Sequence, residues 1–279
     1  MFRRIAPAIL GLLVFAHSAT AEEDHTGFNQ TLDDRFQLLV GAYFADVHSS
    51  YQRVDGAIRS SREIDLEKLG LEKDETQLYL YGRIRFSKRW RLNLNYFGTD
   101  RSASEGAPFN IPLSGGTIPA GIKTRTKFKT KVYSARLGYS FVRTKRADLG
   151  AGLGLYVADL DLGIKANLNV GGGPGTNVTI SQNTDVTAPL PTISVFGSYA
   201  FNDKVSIAGR AAYFTLDYDK YDGDMWDAMA SIDYRAFKNL GIGAGYAYWK
   251  TDLDVDEGND RERYEVRFKG PMLYVRAGF

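Results

Sequence analysis

The sequence predicts an all-β chain: a transmembrane, antiparallel, up-and-down β-barrel of about ten strands. Three observations predict it. Apolar and polar residues alternate with a period of two over repeated stretches. Large aromatics recur on the apolar face near both ends of those stretches, and short connections alternate with long ones. Beyond the N-terminal region no segment offers the ~18 uninterrupted apolar residues of a membrane-crossing helix. Aromatics nonetheless make up 13% of the chain, and there are 29 glycines. That profile suits strands that need an apolar residue only at every second position.

The N-terminus reads as a secretory signal over residues 1–21. Arg3 and Arg4 form a basic region, Ile5 to Ala16 an apolar core, and Ala19-Thr20-Ala21 a small-residue cleavage site. The apolar core contains Pro7 and is shorter than the ~20 residues a spanning helix needs. The residues around the paired arginines do not support twin-arginine export, which leaves ordinary secretion. Cleavage leaves Glu22 first and a mature chain of 279 − 21 = 258 residues. Residues 22–34 are expected as a periplasmic segment and 35–279 as the barrel.

Alternation is clearest at the C-terminus, where Pro271, Leu273, Val275, Ala277 and Phe279 alternate with Met272, Tyr274, Arg276 and Gly278. It recurs in Leu78, Leu80, Gly82, Ile84 and Phe86, and in Trp90, Leu92, Leu94 and Tyr96. A soluble sandwich also alternates, so the aromatics discriminate. Phe36, Phe86, Trp90, Tyr139, Phe141, Tyr199, Phe201, Tyr234 and Phe279 fall on apolar faces beside short connections or the C-terminus, as an inner interfacial girdle would. Phe44, Tyr96, Tyr133, Tyr213, Trp226 and Tyr248 would form the outer one.

Connection lengths set the topology. Short turns are expected near 87–89, 142–146, 202–204 and 236–239. Long external loops are expected near 55–75, 102–122 and 167–186, with shorter ones near 218–223 and 253–261. With both termini periplasmic this order makes about ten strands; eight or twelve are the alternatives. Ile64, Leu66, Leu69 and Leu71 in the 55–75 stretch could supply an extra hairpin. Gly150, Gly152 and Gly154, and again Gly241, Gly243 and Gly245, point away from the apolar side. They would leave interior space for neighbouring Arg and Tyr, or permit strand curvature. No helix follows them, which argues against a phosphate loop.

The signal removes two basic residues, so the mature chain carries 35 − 2 = 33 basic against 33 acidic groups. This zero balance argues against a nucleic-acid partner. With no cysteine there are no disulfides, thiolate metal sites or lipidated N-terminal cysteine. No cofactor and no metal are expected. The acidic groups at Asp217, Asp219, Asp222 and Asp224, and from Asp252 to Glu262, lack EF-hand spacing and read as solvated turns. Asn177-Val178-Thr179 matches a glycosylation pattern, which would have little meaning in the bacterial setting that a membrane barrel suggests.

The segments IDLEKLGL at 64–71, RIRFSKRWRLNLNYF at 83–97, LGIGAGYAY from Leu240 and FKGPMLYVRAGF at 268–279 resemble a poorly characterised, porin-like family of Gram-negative outer-membrane β-barrels. The resemblance implies the bacterial outer membrane and no assigned catalytic residue or substrate. The terminal Phe279 resembles the signal read by the barrel-assembly machinery, and an interfacial aromatic is the plainer reading.

Arg83, Arg85, Arg91, Arg136, Arg210, Arg235 and Arg276 have interior parity, with Asp227 and Asp233 as partners. They would either form a polar network that stiffens a narrow barrel or line an anion-favouring passage for small solutes. Lys123, Arg125, Lys127, Lys129 and Lys131 share parity with outward Tyr133. Arg261, Arg263, Arg267 and Lys269 do the same above Pro271. Such a collar would meet lipopolysaccharide phosphates; solvated strand extensions are the alternative. His48 and Ser50 share an outward face, with Asp46 of the right parity to orient His48. This His-x-Ser pair resembles that of lipid A deacylases. The expected function is therefore a structural barrel or passive small-solute pore. A lipid A-modifying enzyme and an adhesin or receptor using the 102–122 and 167–186 loops are the alternatives.

Overall fold

The computed structural model of the chain describes residues 29–55, 63–113, 116–169, 177–218, 221–257 and 260–279. The signal segment 1–21, His25 and Asp219 lie outside the described residues, as do parts of the 55–75, 167–186 and 253–261 stretches. Ten long strands follow in order: β1 Phe36–Asp55, β2 Asp74–Arg85, β3 Trp90–Gly106, β4 Lys123–Arg143, β5 Ala147–Asn169, β6 Asn177–Ala200, β7 Val205–Tyr218, β8 Tyr221–Arg235, β9 Leu240–Glu257 and β10 Asp260–Gly278. Each pairs antiparallel with its successor, and β1 pairs with β10 from Gln37–Gly278 to Asp55–Asp260, which closes the ring. Reciprocal backbone bonds of 2.9 Å between Phe36 and Phe279 lock the seam at its periplasmic end.

Several strands far exceed the ~9–11 residues that cross a bilayer; β5 has 23 residues and β6 has 24. The excess lies beyond the outer girdle, and there the two faces of each strand exchange character. In β4, outward Tyr133, Leu137 and Tyr139 face lipid while inward Ser134, Arg136 and Ser140 are buried. Further out on the same strand, Lys123 to Lys131 carry the outward parity, and Phe128 and Val132 are fully buried inside. β10 repeats the exchange, with Tyr264, Val266 and Phe268 inside and Arg261 to Lys269 outside.

The outer half of the interior is therefore an apolar core. Phe97 from β3 meets Tyr43 of β1, Trp249 of β9 and Phe268 of β10 at ring separations of 6.2, 5.8 and 5.6 Å, which ties β3 across the interior to the strands beyond the seam. The 102–122 stretch, expected as a long external loop, is largely ordered into this core. β3 runs to Gly106, and the short hairpin Ile111–Leu113/Gly116–Ile118 inserts Ile111 and Ile118 at 0% exposure. The 167–186 loop is likewise mostly strand, because β5 and β6 pair out to Asn169–Asn177.

The twelve-strand alternative does not hold. β2 pairs with β3 only from Leu80–Tyr96 to Arg85–Arg91, leaving a gap in the wall above them. Residues 63–73 fill it. Ile64–Asp65 pairs with Ser50–Tyr51, and the 3-10 helix Leu66–Leu69 buries Leu66 and Leu69, with Leu71 following. The β6–β7 ladder also stops early, at Ile193–Tyr213. Pro189 and Pro191 explain this: pairing with β5 runs uninterrupted through both, so their missing N–H groups are those that would have faced β7.

Trp249, 1% exposed inside, and Leu153, 69% exposed to lipid, test the inverted core. Trp249→Ala should destabilise the barrel by about 3–5 kcal/mol, read as a lowered urea midpoint after refolding into detergent, and Leu153→Ala by much less.

Candidate functional site

The periplasmic half of the interior is polar, and each of the predicted interior arginines faces it. Residues 29–34, expected as a periplasmic segment, enter the mouth of the barrel. Asn29 caps the one-turn helix α1, Gln30–Asp33, by accepting from the Thr31 amide. Asp34, fully buried, accepts from Arg235 and Arg276, each at 3.1 Å. Arg83 and Arg85 donate to the carbonyls of Thr31 and Leu32 at 2.9 and 3.2 Å, and Asp33 pairs with Arg143 at 2.8 Å. The arginines thus hold the segment by its backbone oxygens as well as its carboxylates.

Three further aspartates answer the remaining cations. Asp148 of β5 bridges Arg85 and Arg91 at 2.7 and 3.4 Å. Asp227 holds Arg210 at 2.9 Å and Arg136 at 3.7 Å, and Asp233 accepts from the Tyr274 hydroxyl at 2.9 Å while lying 3.7 Å from Arg276. Glycines make the room for the large groups. A Cβ on Gly150 would lie 2.1 Å from the Phe196 ring, and one on Gly243 would lie 2.3 Å from Tyr274. What space remains is a cavity of about 90 Å³ between this network and the apolar core, enough for several waters at the ~30 Å³ each occupies in the liquid.

His48, Ser50 and Asp46 are not brought together as a triad. Asp46 faces Lys269 at 3.9 Å instead of His48. Ser50 is only 5% exposed, paired beneath Asp65, and no hydrogen bond joins it to His48 among the described residues. The acid beside His48 is Glu67, with Nδ1 to Oε2 at 3.1 Å. Glu67 comes from the 3-10 helix and is itself held by Arg101 at 2.8 Å and by the Ser49 hydroxyl at 2.8 Å. The donor atoms of His48, Asp65 and Glu67 lie within 4.8 Å of one another, the one arrangement of metal-binding composition among the described residues. Its carboxylates already have partners: Asp65 caps the helix through the Glu67 amide, and Glu67 anchors the helix to the wall. It reads as the fastening of the wall-filling segment.

Outside, the cationic surface divides. Lys127 and Lys129 share Asp100 at 3.8 and 3.7 Å, and Arg261 and Arg263 grip Asp254 at 2.8 and 2.7 Å. Burial works to raise the Asp254 carboxyl, but the hydrogen bonds from Arg263 and Arg261 outweigh it, so the group sits below the usual carboxylate range. Arg125, by contrast, lies directly across from Lys165 in the β4–β5 register. No carboxylate lies in ion-pair range of either among the described residues. Arg267 stands between His48 and Lys250 in the register, where Lys250 is answered by Asp252 and Glu265 at 2.9 and 3.3 Å.

An apolar outer belt between two aromatic girdles, around a closed antiparallel ring, needs lipid as its surrounding solvent. Comparison with solved structures agrees. The chain is similar to the outer-membrane protease OmpT from Escherichia coli at 10% identity, with 89% of this chain and 98% of that chain covered and a TM-score of 0.60. The fold is that of a Gram-negative outer-membrane β-barrel. The translocator domain of the autotransporter NalP from Neisseria meningitidis is a more distant likeness, with 11% identity, 92% and 90% coverage and a TM-score of 0.45. At these identities the likeness carries the fold and no activity. No protein-family model matches the sequence. No curated protein matches it either.

Asp34, Asp148, Glu67 and Arg101 are the site residues that sequence reasoning missed. Asp148 had the readable signal, since it shares interior parity with Gly150 on β5. Asp34→Asn should leave Arg235 buried without a countercharge and Arg276 with only Asp233 at 3.7 Å, a loss of about 3 kcal/mol. The N-terminal segment should then be cut by protease under conditions where the wild-type barrel resists.

Proposed function

We propose that this chain is a closed, structural outer-membrane barrel that binds the lipopolysaccharide leaflet through its outward cations and does not act as a passive pore. The ring cluster of Tyr43, Phe97, Trp249 and Phe268 carries the reading. It reaches across the interior from β3 to β9 near the outer girdle, and beyond it the lumen is lined by buried aliphatic and aromatic side chains. An aqueous path would have to cross that dry layer as well as the arginine-held N-terminal turn. Burial of Ser50 weighs against the deacylase alternative, and insertion of Ile111 and Ile118 into the core weighs against the 102–122 stretch as a free receptor loop.

The outward strip of β4 and β5 supplies the lipid contact. Arg125 lies eight residues beyond Tyr133, about 26 Å along the strand or about 20 Å of height at a tilt near 40°. Lys131 and Lys129 stand at the level of lipid A phosphates, and Arg125, Lys127 and Lys165 at that of the phosphorylated inner-core sugars. Unpaired cations placed side by side gain most from an anion between them.

Two measurements test this. In planar bilayers the refolded protein should show no steady conductance, and deleting residues 22–34 should leave it silent, because the apolar layer still blocks the path; stable open channels in either form would overturn the sealed reading. Arg125→Glu with Lys165→Glu should weaken binding of purified lipopolysaccharide roughly tenfold or more, with the barrel still heat-modifiable on gels. Unchanged binding would remove that surface from the proposal.

A further inference from the structure

The cavity in the periplasmic half is walled by unbalanced charge. Five arginines line it, Arg83, Arg91, Arg136, Arg210 and Arg276, against one carboxylate, Asp233. Asp227 answers Arg210 and Arg136 from outside the cavity, and Asp34 with Asp233 answers Arg276. Arg83 and Arg91 are left over. Arg83, 6% exposed, donates to the Thr31 carbonyl and meets no carboxylate among the described residues. Arg91, 4% exposed, reaches Asp148 only at 3.4 Å, and that carboxylate is already bound by Arg85 at 2.7 Å.

The register makes the crowding unavoidable. Arg85 lies directly across from Arg91, and Arg83 across from Asn93, one pleat repeat away on the same face. Three guanidinium groups therefore crowd beside one carboxylate that only Arg85 and Arg91 reach, and the Nε atoms of all three are buried without an acceptor. Arginine does not escape by losing its proton, and a buried ion without a partner is strongly unfavourable. The Phe196 ring, 3.2 Å from the Arg91 guanidinium carbon, offsets part of this through its π face. It does nothing for Arg83.

We propose that the cavity binds one small inorganic anion of halide size between the guanidinium groups of Arg83 and Arg91. At about 90 Å³ the space takes a halide with a few waters and excludes a nucleotide or sugar phosphate. The N-terminal turn covers it from the periplasmic side through Thr31, so the anion enters as the barrel folds. The site is independent of the lipopolysaccharide contact, which lies on the other side of the wall.

The test is refolding from urea into chloride, bromide or the larger isethionate at equal ionic strength. The unfolding midpoint should rise with chloride or bromide concentration and stay flat in isethionate. Arg83→Met should fold and abolish the halide dependence; if it does not refold, Arg91→Met serves as the second variant. Crystals grown from bromide should show an anomalous peak within hydrogen-bond reach of both arginines. A midpoint equal in chloride and isethionate, or bromide crystals with no peak in the cavity, would overturn the proposal.

Discussion

The structure depends on a change of solvent along its outer face. Between the girdles the wall is covered by hydrocarbon, so outward positions must be apolar, and backbone pairing has to close on itself because lipid offers no hydrogen bonds. Beyond Phe44, Tyr96, Tyr133 and Tyr213 the same strands stand in water. Outward positions there must be polar, and the interior has to supply the apolar burial that holds a protruding wall together. Because side chains alternate with a strict period of two, the exchange needs no bulge or register slip at the girdle. Only the choice of residue at each parity changes.

This explains which parts were legible from sequence. Within the membrane the apolar parity of β4, β9 and β10 is continuous, and turn lengths vary as barrels require, so strand order, girdles and the inward arginines could be read directly. Phe128, Val132, Trp249 and Phe268 were harder. Their parity is that of Arg136 and Arg276, and a reader who carries one face label along the whole strand assigns them to a polar lumen. Partners of the inward arginines were partly hidden for another reason. Asp34 lies before the first strand, and no periodicity announces that its segment turns back into the mouth.

The 63–73 segment shows how a local defect produces a specific constellation. β2 is short, so the outer parts of β1 and β3 lack a common neighbour and would expose unpaired backbone. A 3-10 helix lies across the gap with its leucines inward, and Glu67 fastens it to Arg101, Ser49 and His48. The His48-Ser50 spacing looked like chemistry in the sequence because parity placed both on the outer surface. It is the filling of the gap that buries Ser50 and gives His48 a different acid, and no feature of β1 alone could reveal this.

The two halves of the interior also constrain one another. In the sealed barrel we propose, the apolar layer at the outer girdle keeps bulk water from the arginines on the outside, and the N-terminal turn limits access from the periplasm. Seven cations in a space so enclosed cannot rely on hydration. Each must find a carboxylate, a carbonyl, a ring face or a bound ion, which is why Asp34 enters the barrel at all and why Asp148 serves two arginines at once. On that proposal the polar network is less a lining for transport than the consequence of sealing a barrel whose periplasmic half was built from arginine.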